Sequence, residues 1–277
     1  MRQKTLSIFL LCAFLLVSMK LFAYDFRVNG ICYNITSSTE NTVQVTYYSY
    51  EQTPYSYRGY TFYYNIYVSG YSGDVVIPST VTYNGTTYTV TSIGAHAFTD
   101  YNTKTGTTGS AVTSVTIPSS VTSVDYNAFY TCTKLKEATI ECTEIPAFNY
   151  CTGLETINLG ANATGEISLS SDLKSLTAIN VNASNTAYSS SDGVLYNKAK
   201  TTIVRCPVAK QEVSILSTTT EIGTKAFYGC QSLSTVNLTS NVKTIGSYAF
   251  YGCTNLQSIN IPYYVTSIPD YCFYQCI

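Results

Sequence analysis

The chain has 277 residues, of which 45% are hydrophobic, 14% aromatic and only 11% charged, with 15 Lys and Arg against 16 Asp and Glu. That near balance excludes the strongly basic surface that a nucleic-acid or anionic-membrane partner requires. A single histidine leaves a zinc site or a Cys/His nucleophile little to draw on.

The opening "MRQKTLSIFLLCAFLLVSMKLFAYDF" has two early cations, an apolar run from Leu6 to Met19 and a small residue, Ala23, before the texture turns polar. This predicts a secretory signal peptide over 1–23, cut after Ala23. The apolar run is shorter than the ~20 residues a membrane-spanning helix needs, and no later segment is apolar enough to span a bilayer. Removing Arg2, Lys4 and Lys20 leaves 12 cations against 16 acids, so the exported part is mildly acidic.

Residues 24–75 read as a β-rich N-terminal cap. "DFRVNGICYNI" (25–35) alternates apolar residues around Asn29 and Gly30, and "VTYNGTTYTV" (81–90) does the same around Asn84 and Gly85. Asn-Gly between alternating runs is a hairpin signal, because both turn residues must take positive φ. Residues 47–71 hold ten tyrosines in twenty-five positions. Such a run serves either as rigid contact area for a ligand or as strand residues covering a core. Pro54 and Gly59 predict a loop from Glu51 to Gly59, which would expose Tyr55 and Tyr57.

Residues 76–277 carry a repeat. Ile222, Ile245 and Ile268 are spaced by 23, as are Phe227, Phe250 and Phe273. A period in this range, with recurring apolar positions, marks units that bury a core only by stacking. "TSIGAHAF" (91–98) and "TSVDYNAF" (122–129) are 31 apart, the excess falling in the Gly-rich insertion "DYNTKTGTTGS" (100–110). Between 182 and 212 the pattern fails, and "SSSDGVLYNKAKTTIVRCP" predicts an irregular hairpin island. Within a unit, L-x-x-I-x-I ends in strand-like alternation, and I-G-x-x-A-F-x-x-C spaces its apolar residues for a short helical or 3-10 turn on the opposite side. The predicted fold is a repeat solenoid with a parallel β-sheet on its concave side.

Cys132, Cys151, Cys230, Cys253 and Cys276 each follow a Phe by three residues, so they form one repeat position, read as a column of buried thiols. Structural disulfides are the alternative for an exported chain, and a pair among Cys32, Cys142, Cys206 and Cys272 is left open. The sequence stops at "YCFYQCI", inside a repeat. Two readings follow: a fragment, or a partial coil acting as cap, with an open end that favours self-association.

The unit I-G-x-x-A-F-x-x-C-x-x-L-x-x-I-x-I-P, clearest at 222–238 and 245–262, resembles the BspA-like leucine-rich repeats of bacterial and protozoan surface proteins. "AYDFRVNGICYNI", "YSGDVVIPSTVTYNGTTYTVTSIG" (71–94) and "YSSSDGVLYNKAKTTIVRCP" (188–207) resemble passages of the Bacteroidetes members. The resemblance implies a curved, exported solenoid used for contact with other molecules. Some relatives adhere to host matrix proteins such as fibronectin and fibrinogen.

Catalysis finds little support. His96 occupies a variable repeat position expected to be exposed. Glu141, Glu144 and Glu155 could supply a glycosidase carboxylate pair, yet nothing distinguishes an acid from a nucleophile. No cofactor or metal is implied. For binding, the strand residues between the inward Leu and Ile face the concave side. They are Ser114, Thr116, Lys136, Glu137, Thr139, Glu155, Thr156, Asn158, Ser234, Thr235, Asn237, Gln257, Ser258 and Asn260. The sequence therefore predicts a secreted or cell-surface, non-catalytic module whose partner is a host or community protein. Its alternatives are a self-associating coat component and a glycan-binding module.

Overall fold

The computed structural model describes residues 19–58, 60–102 and 107–276, which form 23 strands and no helix. Most of the expected leader, 1–18, lies outside the described residues. Its last part, β1 (Met19–Phe22), is an edge strand, with Met19 opposite Gln52.

The N-terminal region is built from hairpins. β2 (Phe26–Val28) and β3 (Ile31–Ser37) are joined through Asn29 and Gly30 at φ 49° and 84°. β4 (Thr42–Thr46) runs antiparallel to β3. β5 (Ser49–Tyr57) and β6 (Tyr60–Val68) pair along their whole length, from Ser49 opposite Val68 to Tyr57 opposite Tyr60. This corrects the expected loop from Glu51 to Gly59, since Glu51 to Tyr57 are strand. Among the described residues, β1 pairs with β5 from Ser49 to Gln52, and Pro54 pairs only with Tyr63 of β6, an edge position of the kind that proline tolerates.

β7 (Ser72–Val76) opens the repeat ladder. β8 (Thr80–Tyr83) and β9 (Thr86–Ile93) follow as a hairpin through Asn84 and Gly85 at φ 48° and 82°. β10 (Asp100–Asn102) and β11 (Thr107–Gly109) pair antiparallel across the insertion, and β10 also pairs with β6. The insertion therefore adds two strands to the tyrosine-rich sheet, whereas its Gly content had suggested only a loop.

Two ladders run through the repeats. The first joins β7, β12 (Ala111–Ile117), β14 (Glu137–Ile140), β15 (Thr156–Leu159) and β16 (Ala178–Val181), all parallel and, over 114–117, 137–140, 156–159 and 178–181, in register. The second is made of short strands. β13 (Ser123–Val124) pairs with β9, and later β19 (Thr202–Arg205), β21 (Glu221–Ile222) and β23 (Thr244–Ile245) line up in parallel. Between the blocks, β17 (Tyr188–Ser191) and β18 (Val194–Asn197) form an antiparallel hairpin that also pairs with β19. Gly193 O accepts Ile179 N at 2.8 Å, so this hairpin covers the free edge of β16. The first ladder resumes as β20 (Glu212–Ser214) with β22 (Thr235–Asn237).

The expected helical or 3-10 turns are absent among the described residues. The segment G-x-x-A-F-x-x-C is instead a chain of tight turns: Ala226 N donates to Gly223 O, Cys230 N to Phe227 O and Leu233 N to Cys230 O. The backbone groups between these turns bond to the next repeat, with Phe227 N on Ala249 O at 2.7 Å and Gly229 N on Tyr251 O at 2.8 Å. Lys225, Tyr248 and Tyr271 share a left-handed φ of 58°, 60° and 56°, and Gly229 and Gly252 share φ 71° and 70°. Left-handed residues at fixed repeat positions interrupt any right-handed helix. The apolar spacing that resembled a helix face is produced by these turns.

The core is a column along the stack. Phe98 and Phe129 stack at 4.8 Å and 8°, Phe227 and Phe250 at 4.8 Å and 8°, and Phe250 and Phe273 at 5.3 Å and 7°. Beside it run the thiols. Cys132, Cys151, Cys253 and Cys276 each donate to a Phe carbonyl of the preceding repeat, Phe98, Phe129, Phe227 and Phe250, at 3.0–3.2 Å. All nine described cysteines carry free thiols and all are buried except half-buried Cys276. Burial raises the Cys142 and Cys272 thiols to about 11. The N-terminal region joins the column through Tyr71, whose ring lies 5.0 Å from Phe98 and whose hydroxyl donates to Thr46 O and accepts from Cys32 N.

Candidate functional site: a polar face across the parallel ladder

Along β12, β14 and β15 the buried Val115, Ile117, Ala138, Ile140, Ile157 and Leu159 alternate with residues that reach the surface. The in-register pairing turns this alternation into rows. Asp74, Ser114, Glu137 and Thr156 occupy equivalent places on successive strands, and Thr116, Thr139, Asn158 and Asn180 form the next row. Parallel strands set such residues ~4.8 Å apart.

The rows are cross-linked by hydrogen bonds. Asn158 Nδ2 donates to Glu137 Oε1 at 2.6 Å, and Asn180 Nδ2 donates to Asn158 Oδ1 at 3.0 Å. Lys136 Nζ pairs with Glu155 Oε1 at 2.6 Å, with roughly half of each side chain exposed. An exposed pair of this kind contributes only about 0–1 kcal/mol. It orients its groups more than it stabilises them. At the N-terminal edge, Asp74 Oδ1 accepts from Ser114 Oγ at 2.7 Å and from Thr113 Oγ1 at 3.0 Å, which holds its carboxyl below the ordinary aspartate range.

The structure thus gathers Ser114, Thr116, Lys136, Glu137, Thr139, Glu155, Thr156 and Asn158 onto one surface. Ser234, Thr235 and Asn237 belong to the later block, where among the described residues β22 pairs only with β20, placing Thr235 opposite Glu212 and Asn237 opposite Ser214. Gln257, Ser258 and Asn260 are exposed but lie in no strand, contrary to the L-x-x-I-x-I reading of Leu256 to Ile261. Tyr57 is 59% exposed near the tip of the β5–β6 hairpin, on a different sheet, and the side chain of Tyr55 lies outside the described residues.

Sequence reasoning passed over Asp74 and Asn180. Both carried a signal: "VVIP" at 75–78 parallels "VTIP" at 115–118, and "LTAINV" at 176–181 has the L-x-x-I-x-V form. His96 also differs from expectation. It is half-buried and stacks on Tyr67 at 4.4 Å, and its desolvation lowers the imidazole's pKa. The three glutamates considered for catalysis are not held as a pair: Glu144 Oε2 accepts Val124 N at 2.9 Å while Glu155 is bound to Lys136. Among the described residues, no group of three or more His, Cys, Asp or Glu is placed to hold a metal ion.

Comparison with known proteins agrees with this architecture. No curated protein matches the chain in sequence. A leucine-rich repeat protein of Eubacterium ventriosum is 20% identical, with a TM-score of 0.50 over 94% of this chain and 76% of its own. A leucine-rich repeat protein of Bacteroides ovatus is 26% identical, with a TM-score of 0.42; this chain aligns over 92% of its length and spans about half, 51%, of that protein. A leucine-rich cell-surface protein of Faecalibacterium prausnitzii is 22% identical, with a TM-score of 0.38 over 91% of this chain and 80% of its own. The profile of the BspA type leucine-rich repeat region matches residues 85–199 and 205–277, in six copies. With most of its length in that repeat, the chain belongs to the BspA-type leucine-rich repeat family.

Proposed function

We propose that this chain is an exported, non-catalytic interaction module of a bacterial cell surface, a curved solenoid that holds a partner protein on the polar face of β7, β12, β14, β15 and β16. The observation that carries the reading is the in-register stacking of Ser114, Glu137 and Thr156 beside Thr116, Thr139, Asn158 and Asn180. Donors and acceptors repeat there at a fixed pitch on a rigid sheet. A partner surface can therefore be matched with little side-chain and loop ordering, one of the costs of association. The partner class is an extracellular protein of the host or of neighbouring cells.

A second reading, self-association as a surface-coat component, rests on the last repeat. Tyr263 is 93% exposed, and Tyr264, Ile268 and Tyr274 are each about half exposed or more. Binding of the purified chain to immobilised fibronectin and fibrinogen, with light scattering on the same sample, separates the two. Saturable binding by a monomer supports the contact module. A mass that climbs with concentration, without binding, supports the coat component.

A further inference from the structure

A hollow of about 480 Å³ lies away from the polar face, where the turns of one repeat block meet those of the next. Its lining includes Tyr126, Asn149, Ser168, Arg205, Lys225 and Tyr228. Its size is within the ~300–1,000 Å³ typical of small-molecule pockets. A neighbouring hollow of about 210 Å³ shares Tyr126, Asn149 and Ser168, so the depression continues past the Tyr126 ring.

Two buried donors at this hollow have no acceptor. Arg205 is 5% exposed; its Nη1 donates to Lys225 O at 2.8 Å, and its Nη2 has no partner. Neither ion pair among the described residues involves Arg205. Asn149 Nδ2 is likewise buried and unpartnered. A buried donor left without an acceptor is destabilising, the more so when it is charged. Burial also depresses the guanidinium's pKa, the direction expected of a cation lacking a counterion. Two cations, Arg205 and Lys225, face one carboxylate, Glu166, around the rim and floor.

Both orphan groups are donors, one of them a planar cation, and a planar acceptor with two oxygens matches that set. The Tyr126 ring, 73% exposed, offers a flat apolar surface at the mouth. We propose that this hollow binds an acidic sugar residue, its ring carboxylate received by Arg205 and Asn149 and its C–H face laid on Tyr126. The site is independent of the protein-binding face, so either can exist without the other.

The test is titration calorimetry of the purified full chain with glucuronic acid, glucose and inorganic phosphate in parallel. The proposal expects saturable glucuronate binding, at least tenfold weaker glucose binding and at least tenfold weaker phosphate binding. Tyr126→Ala should weaken glucuronate severalfold and Asn149→Asp at least tenfold, both with an unchanged melting temperature for Tyr126→Ala and a cooperative transition for Asn149→Asp. Arg205→Gln is informative only if it folds, which the other two variants make unnecessary. Absence of saturable glucuronate binding, equal binding of glucose or phosphate, or indifference to both Tyr126→Ala and Asn149→Asp would overturn the assignment.

Discussion

Replacing Phe250 by alanine tests how the repeats hold one another. Phe250 is fully buried, with Phe227 stacked on one side at 4.8 Å and Phe273 on the other at 5.3 Å. Truncating a buried Phe to Ala costs about 3–5 kcal/mol through lost transfer energy and the cavity left behind, and the two ring contacts place Phe250 toward the upper end. Phe273 is only half-buried and has one stacked ring neighbour among the Phe column, Phe250. Its truncation should cost about half as much, ~2 kcal/mol. Urea denaturation followed by far-ultraviolet circular dichroism measures both, with the m-value checked for constancy. Equal costs for the two substitutions, or less than ~1 kcal/mol for Phe250→Ala, would refute the stacked-column account.

Backbone geometry gives the next expectation. Gly229→Ala places a Cβ 2.7 Å from Ser171 Cβ at φ 71°, whereas Gly252→Ala at φ 70° meets nothing nearer than Gly229 Cα at 3.8 Å. Gly252→Ala should cost only the left-handed penalty of ~1–2 kcal/mol and Gly229→Ala clearly more, as read by urea midpoints. Desolvation lowers the folded pKa of His96 below its unfolded value near 6.5, against an opposing pull from Asp125. The stability it protects is complete above that value and is lost as pH falls below it. His96→Asn, which tolerates the left-handed φ of 56°, should flatten the melting-temperature profile between pH 7 and pH 5. An unchanged slope would count against burial of the imidazole. The thiols supply a chemical test. With a disulfide reagent at pH 8, half-buried Cys276 should react first and the buried column only on unfolding. Rapid reaction of several thiols in the native protein would contradict the packing.

The long-range order of the fold was legible in the sequence because repetition samples each structural position several times. Ile222 and Ile245, or Phe227 and Phe250, reveal a shared burial that no single unit would. Local conformation was less legible. Ile, Ala, Phe and Cys at offsets near three and four satisfy a helix template, yet Lys225 and Gly229 turn the chain left-handed between them, and propensity does not flag a lysine or a tyrosine at such a position. The two-residue strands at Ile222 and Ile245 are too short to leave a periodic signal. In β5, Pro54 and Gly59 suggested a loop, whereas Glu51 to Tyr57 pair with β6 throughout, with Pro54 opposite Tyr63.

The polar face was half legible. Alternation in "KEATI" and "ETINL" marked which side chains point outward, but the sequence could not show that β16 is covered by an inserted hairpin, which separates the candidates around β12, β14 and β15 from those around β22, while Gln257, Ser258 and Asn260 lie in no strand. The hollow around Arg205 left no trace at all. Its residues come from 126, 149, 168, 205 and 225, positions brought together only by stacking, and an arginine in "TTIVRCP" reads as solvent-facing until its burial is seen.

The measurement that bears most directly on the account is the affinity of the chain for immobilised fibronectin and fibrinogen, compared with that of the double variant Glu137→Arg, Glu155→Arg. Both side chains are exposed, so the change alters the face without opening the core. The account predicts saturable binding by a monomeric chain, weakened at least tenfold by the double variant and unaffected by Tyr57→Ala. Binding that survives the charge reversal, or is lost with Tyr57→Ala instead, would move the site off the polar face, and no saturable binding to either protein would contradict the proposal for these ligands.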